Sequence, residues 1–143
     1  RFSAKARRYC YRILNRRAPS PLRPVLYTCV NEPLDINTMR EASRYFLGTH
    51  DFSSFRAKEC QASSPIKTLD EFTIVPNEEI IECWVQSRSF LHHQVRNMVG
   101  TLMWVGKGKW SPDRIPFILQ AKDRRAAGPT APANGLCLEK IFY

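Results

Sequence analysis

"TLDEFTIVPNEEIIECWVQS", residues 68–87, indicates the kind of fold, because it predicts two antiparallel strands joined by a turn at 76–79. A helix is predicted directly after it, over residues 90–104. There Phe90, Leu91, Val95 and Met98 recur at the spacing of one helical face. The chain therefore places a helix immediately beside an antiparallel pair of strands.

The rest of the chain extends this arrangement on both sides. Further strand patterns occupy 5–14, 25–30 and 136–143. Helices are predicted after the N-cap Asp35, ending at Gly48, and after Ser111 with Pro112 in the first turn. Irregular structure is predicted for 16–24, 51–55, 60–67 and 126–135.

Strands and helices are segregated along the chain rather than strictly alternating. This order favours an α+β fold, with helices packed on one face of a largely antiparallel sheet. The other face is then open to a ligand, and we expect an RNA-facing cleft there. A length of 143 residues is typical of one domain, spanning 1–143.

The charge favours a polyanionic partner. The formal net charge is +9 and the sequence pI is about 9.7, which favours nucleic acid first and an anionic membrane second. Seven Lys and Arg residues fall within 1–17, and the first acidic residue is Glu32. A soluble protein with many solvated lysines is the alternative. No apolar run approaches the roughly 18 residues of a membrane-spanning helix. We expect a nucleic acid rather than a membrane as the partner.

The five cysteines are widely spaced, odd in number and without a C-x-x-C pair, so neither a disulfide framework nor a zinc site follows. We interpret them as core thiols in a reducing intracellular compartment, with a mitochondrial and a cytoplasmic or nuclear location both open. The adjacent His92 and His93 have no third ligand at suitable spacing, so we predict no metal. No local signature supports a Cys/His nucleophile pair, and no phosphate-binding glycine loop is present.

Two segments carry candidate functional residues. Period-two alternation over 5–14 puts Arg7, Tyr9 and Tyr11 on one strand face, a pattern common in RNA contacts. An amphipathic strand with half-buried tyrosines is the alternative. In the helix over 90–104, Arg96 is bordered by apolar residues and requires an answering anion if it is buried, whereas an arginine reaching to solvent is the alternative. Gly100, one turn later, leaves room for another backbone to approach closely.

Several long blocks of the sequence together resemble the TruA family of tRNA pseudouridine synthases. These blocks are "RFSAKARRYCYRILN", "EPLDINTMREASRYFLGTHDFSSFRA", "FLHHQVRNMVGTLMWVGKG", "AKDRRAAGPTAPANGLCL" and "IFY". They follow the family's C-terminal half from end to end, in order and with similar gaps. The resemblance implies the pseudouridine synthase fold and the isomerisation of uridine to pseudouridine in the anticodon stem-loop of tRNA, without metal or organic cofactor. Homodimers are also typical of the family.

The resemblance also assigns roles by motif. Tyr9 corresponds to the family tyrosine that stacks on the target base, and Leu136 to a residue that lines the uracil pocket. Arg96 corresponds to the arginine that pairs with the nucleophilic aspartate, so we expect it in a cleft close to Tyr9. The basic strand and the matching blocks supply the candidate RNA-contact residues Arg7, Arg8, Arg12, Arg56, Lys58, His92 and His93.

One departure from the family pattern is decisive for activity. The family nucleophile lies in an R-T-D-x-G-V-H block, and no such block is present here. Asp51 precedes "FSSF", a block of the family's C-terminal half, so it is not the nucleophile. We therefore expect a C-terminal fragment that is inactive alone. The competing hypotheses are a non-catalytic RNA-binding module that kept the fold, and a structural or protein-interaction domain that binds no RNA.

Overall fold

The computed structural model describes residues 4–16, 27–58, 60 and 62–143. Within them, six strands form one sheet: β1 (Ala6–Asn15), β2 (Thr28–Val30), β3 (Gly48–Asp51), β4 (Ile66–Asn77), β5 (Ile80–Ser87) and β6 (Leu136–Phe142). Three α-helices accompany it in the same part of the chain: α1 (Ile36–Ser43), α2 (Gln94–Gly106) and α3 (Arg114–Ala121). The expected α+β class is confirmed.

Strand β1 is central in the sheet and pairs with three other strands. One edge of β1 pairs antiparallel with β5, and β4 and β3 follow β5 outward in antiparallel order. The other edge pairs antiparallel with β6 and, near the C-terminal end of β1, parallel with β2. The sheet is therefore mixed but largely antiparallel.

The predicted hairpin is present as β4 and β5. Ile81, Cys83 and Val85 alternate into the core along β5, as period two requires. On β4 a bulge between Leu69 and Glu71 shifts the register. The extra residue in the bulge lets Leu69 face the core together with Phe72 and Ile74, although Leu69 and Phe72 are an odd number of positions apart.

The core lies between this sheet face and the helices. It contains an aromatic group in which Phe46 stacks on Phe72 at 5.5 Å and meets Phe55 edge-on at 5.1 Å. Full burial of each such side chain contributes about 1.5–3 kcal/mol. Asp35 caps α1 as predicted, because its carboxylate accepts hydrogen bonds from the Asn37 and Thr38 amides.

Several element boundaries differ from the sequence expectation. Helix α2 begins at Gln94 rather than at residue 90, because His93 adopts a left-handed backbone with φ of 62°. Helix α3 begins at Arg114, since Ser111 and Pro112 lie in the preceding turn. The segment starting at Gly48, expected as a helix end and loop, is strand β3 paired with β4. The predicted connection at 16–24 and the start of the strand at 25–30 lie largely outside the described residues.

The cysteines occupy three environments, so the interpretation of all five as core thiols is wrong. Cys10 and Cys83 are buried, Cys60 is half-buried, and Cys29 and Cys137 are exposed, all as free thiols. Cys29 and Cys137 lie on β2 and β6, the two strands that pair with the same edge of β1. Separately, no helix among the described residues is long and apolar enough to cross a bilayer.

Candidate functional site

The turn before α2 shapes the candidate site. The Gln94 side chain accepts a hydrogen bond from the Leu91 amide at 2.8 Å and so closes the turn that precedes the helix. His92 and His93 therefore lie ahead of the helix, with their rings stacked 3.9 Å apart. The Ala57 amide donates to the His92 carbonyl at 3.0 Å, which ties this turn to the segment carrying Arg56 and Lys58.

Arg96 is half-buried in the first turn of α2 and is held by backbone. Its Nε donates to the Ala131 carbonyl at 2.8 Å, and the Ala131 amide donates back to the Arg96 carbonyl at 3.0 Å. No carboxylate among the described residues forms an ion pair with it. The guanidinium thus keeps donors available for an anion.

Gly100 explains how the segment with Ala131 reaches the helix. A Cβ placed at Gly100 would lie 1.7 Å from the Pro129 carbonyl oxygen, so only glycine allows this approach. The Gly128 amide donates to the Thr101 hydroxyl at 2.9 Å on the same helix face. The predicted close approach of another backbone at Gly100 is confirmed.

Tyr9 and Leu136 complete a pocket of about 390 Å³ next to Arg96. Tyr9 lies in the middle of β1 and meets the Phe90 ring edge-on, with ring centroids 5.3 Å apart. Leu136 opens β6 opposite Tyr11 in the strand register. The lining residues are Tyr9, Phe90, Leu91, His92, His93, Gln94, Val95, Arg96, Ala133 and Leu136. The expected position of Arg96 in a cleft with Tyr9 is confirmed.

This pocket combines an aromatic ring, an aliphatic wall and a cation without an acidic partner among the described residues, which suits a planar base beside an anion. A tRNA pseudouridine synthase family model matches residues 42–143, which is most of the chain.

The chain belongs to the tRNA pseudouridine synthase family.

Three relatives named tRNA pseudouridine synthase A show the extent of the similarity. The protein of Paramagnetospirillum magneticum is 55% identical over 143 residues, all of this chain and 56% of the relative. Those of Rhodospirillum rubrum and Rhodospirillum centenum are 54% and 51% identical over the whole chain, which covers 51% and 58% of them. The chain thus spans about half the length of the curated relatives it matches.

The pocket lies on a different face of the sheet from the one expected. We expected the cleft on the face opposite the helices, whereas the pocket is built from β1, β6 and the start of α2, on the helical side. Tyr9 shares its strand face with the buried Tyr11 and Ile13, so the helices cover the C-terminal part of that face and leave Tyr9 partly open. The cleft therefore lies on the helical face of the sheet, at the edge of the area that the helices cover.

Arg8 and Arg12 lie on the opposite face of β1, away from the pocket. Arg8 binds both carboxylate oxygens of Glu71, at 2.8 and 2.9 Å, and its guanidinium lies 4.3 Å from the centre of the Trp84 ring. Arg12 pairs with Glu82 at 3.3 Å and Glu139 at 3.1 Å. The hydrogen bond from Arg8 lowers the pKa of Glu71, so that carboxylate stays ionised and matched to the arginine.

The other candidate RNA-contact residues are placed on the pocket side. Arg7 is partly exposed on the strand face of Tyr9, and His92 and His93 line the pocket. Arg56 donates from Nη2 to the Ala62 carbonyl, and Lys58 is exposed close by. RNA contact by any of these side chains stays a prediction.

Tyr11, which the strand pattern grouped with Tyr9 as a candidate RNA contact, is fully buried and has a structural role instead. Its hydroxyl donates to the Pro132 carbonyl at 2.5 Å and lies 2.6 Å from the Thr28 hydroxyl. Burial raises the pKa of Tyr11 to about 12, so the phenol stays protonated and able to donate. Because Tyr11 is two residues from Tyr9 on the same strand, the sequence indicated that both lie on one face, which is the face that carries the pocket. Tyr11 fixes the segment that carries Ala133 and Leu136 into the pocket.

Arg124 is a second structural contributor, and the sequence analysis missed it. It donates to the Gly128 carbonyl at 2.7 Å, the Asn97 amide oxygen at 3.1 Å and the Thr130 hydroxyl at 3.0 Å. Asn97 follows Arg96 on α2 and donates to the Phe55 carbonyl at 2.8 Å. Arg124 therefore connects α2 to the segment whose Ala131 carbonyl binds Arg96.

All five aspartates of the chain lie outside the pocket lining. Asp35 caps α1, Asp51 accepts from the Ser53 amide, and Asp123 binds Arg125. Asp70 is exposed on β4, and Asp113 accepts from the Ser111 hydroxyl. Among the described residues, no group of three His, Cys, Asp or Glu side chains could hold a metal ion. Within the part of the chain that the structure describes, the pocket thus contains a cation and an aromatic ring but no nucleophilic carboxylate.

Proposed function

We propose that this chain forms one half of the active site of a tRNA pseudouridine synthase, which isomerises uridine to pseudouridine in the anticodon stem-loop of tRNA. The observation that carries the proposal is the single pocket that brings together Tyr9, Arg96 and Leu136. The three come from separate sequence blocks, and each matches the corresponding family motif. A fold unrelated to the family would not be expected to bring these three motif positions to one pocket.

The pocket accounts for base binding. Extruding a uridine from its stack costs a few kcal/mol, and contact with an aromatic ring and an aliphatic wall offsets part of that cost. Tyr9, supported edge-on by Phe90, provides the ring, and Leu136 the wall. The uracil then lies close to the Arg96 guanidinium.

Arg96 has the properties required of a partner for a nucleophilic carboxylate. A carboxylate must be ionised to attack, and a nearby cation lowers its pKa. The bond from Nε to the Ala131 carbonyl orients the guanidinium, and its terminal nitrogens have no hydrogen-bond partner among the described residues, so they are available for a two-point contact. The proposed reaction breaks the N-glycosidic bond and rejoins the same uracil through carbon, so no atom is gained or lost. The attacking carboxylate comes from protein outside these 143 residues.

The residue assignments are tested in the longer native chain with unmodified tRNA. Replacing Arg96 by Gln removes the charge and should lower the rate of pseudouridine formation at saturating tRNA by about 100-fold or more. Replacing Tyr9 by Leu removes the ring and should also sharply reduce activity. Arg125→Gln is the matched control, since the Arg125 side chain is 90% exposed and pairs with Asp123 alone among the described residues.

Wild-type rates for the Arg96 and Tyr9 variants would refute these assignments. The alternative function, a non-catalytic RNA-binding module, predicts tRNA binding without any pseudouridine from the native chain. A structural domain predicts no retardation of tRNA at all. Homodimer formation, implied by the family resemblance, stays a prediction.

A further inference from the structure

A second groove opens where β5 ends. β5 lies between β1 and β4, and its last residue, Ser87, pairs with Arg7 on one side and Leu69 on the other. Both neighbours extend past this point. β1 begins at Ala6, with the Lys5 amide still bonded to the Phe142 carbonyl, and β4 begins at Ile66. The space left between them, crossed by Arg88 and Ser89, is a groove of about 480 Å³.

The side chains in this groove are predominantly cationic and polar. Lys5, Lys67 and Arg88 line it, and Asp70 is the one acidic residue in its lining among the described residues. Lys67 Nζ donates to the Ser89 hydroxyl at 3.1 Å, which holds that ammonium at the groove wall.

The cations here lack the compensation found elsewhere in the sheet. No carboxylate among the described residues forms an ion pair with Lys5, Lys67 or Arg88, whereas Arg8 and Arg12 on the opposite face are both matched by glutamates. A concave site with an excess of positive charge attracts anions. Lysine ammonium and arginine guanidinium groups are the usual protein partners of phosphate oxygens.

The groove and the pocket are lined by residues that follow one another in the chain. Ser89 lines the groove, and the next residue, Phe90, lines the pocket and packs on Tyr9. Consecutive Cα atoms are about 3.8 Å apart, so the two linings adjoin at this point of the chain, within reach of neighbouring nucleotides of one strand.

We propose that the groove formed by Lys5, Lys67 and Arg88 binds backbone phosphates of the RNA strand next to the nucleotide whose base occupies the Tyr9 pocket. This inference rests on the proposed function, because it takes the pocket as the base site. Phosphate contacts fix the position of a strand without reading its sequence. The groove therefore sets where the target nucleotide stands relative to Tyr9 and Arg96.

The test is a salt titration of binding to unmodified tRNA by the longer native chain. The double variant Lys67→Gln/Arg88→Gln should bind about 10-fold more weakly near 0.15 M salt. Its slope of log affinity against log salt should be shallower by about 0.7 for each lost contact to single-stranded RNA. Pseudouridine formation at limiting tRNA should fall by about the same factor, because the lost contacts contribute to binding and positioning the substrate.

The matched control is Lys109→Gln/Arg114→Gln, which removes the same charge at two exposed residues beyond the C-terminal end of α2. It should keep the wild-type affinity and salt slope. A second variant, Asp70→Asn, removes the acidic residue from the groove and should tighten binding. A gain of affinity cannot result from misfolding.

Wild-type affinity and slope in Lys67→Gln/Arg88→Gln, in an enzyme that modifies tRNA, would overturn the groove assignment and leave the proposed function standing. Equal losses in the control would overturn it too, since net charge alone would then explain the effect. A native chain that neither binds nor modifies tRNA would instead refute the proposed function.

Discussion

Gly100 is the residue at which the shape of the site depends on a single missing methyl group. The Pro129 carbonyl lies where its Cβ would be, and the two-way bonding between Arg96 and Ala131 occurs one turn away. Gly106 is also buried in α2, but a Cβ there would meet the Met39 side chain, with its sulfur at 2.7 Å. A flexible side chain can move, whereas a packed backbone carbonyl cannot do so without displacing the whole segment.

Gly100→Ala should therefore lower the free energy of unfolding by at least about 2 kcal/mol, despite a gain of about 1 kcal/mol in helix propensity. Gly106→Ala is the matched control, and its loss should be clearly smaller. Urea denaturation of both variants measures the difference. A Gly100→Ala protein as stable as the wild type would disprove the close approach.

The segment at 126–135 is the element that carries irregular backbone into the site, and Tyr11 anchors it. Removing the Tyr11 hydroxyl leaves the Thr28 hydroxyl and the Pro132 carbonyl without this partner. Tyr11→Phe should cost about 1–3 kcal/mol of unfolding free energy. Tyr45→Phe, at an exposed tyrosine, should stay within about 0.5 kcal/mol. Thermal denaturation compares the two, and equal stabilities would contradict the anchoring role.

The sequence predicted some elements well because their signals are local. The alternation of Ile81, Cys83 and Val85 and the cap at Asp35 are both contained in short stretches. Strand β3 has only four residues and no alternation of its own, and it exists because β4 pairs with it. The left-handed backbone at His93, which delays the start of α2, has no signature in residue type.

At the site, motif positions were predictable but their surroundings were not. Tyr9, Arg96 and Leu136 meet in one pocket as expected. The partners of Arg8 and Arg12 lie between 63 and 127 residues away in sequence, so no spacing rule could reveal that carboxylates already match these cations. The same long-range packing decides which sheet face the helices cover, and hence the side of the cleft.

At the scale of the whole molecule, the five thiols report on the fold. Burial raises the pKa of Cys10 to about 12 and raises that of Cys83 as well, so both lack reactive thiolate near neutral pH. Burial also raises the pKa of Cys60, but hydrogen bonds from the Ala62 and His92 amides and from Arg56 outweigh it and lower the value overall.

We expect Cys29, Cys60 and Cys137 to react with a thiol reagent at pH 8 in the native protein, and Cys10 and Cys83 to react only after unfolding. Mass spectrometry of labelled peptides assigns each site. Rapid labelling of Cys10 or Cys83 in the folded chain would contradict the packing of β1 and β5.

The central claim is that this chain supplies a base pocket and a cation, and requires a carboxylate from outside itself. The most direct measurement is pseudouridine formation in unmodified tRNA by the 143-residue chain and by the longer native chain under identical conditions, with circular dichroism confirming that both are folded. We predict product from the longer chain and none from the 143 residues. Turnover by the 143-residue chain alone, or none by the longer chain, would contradict the account.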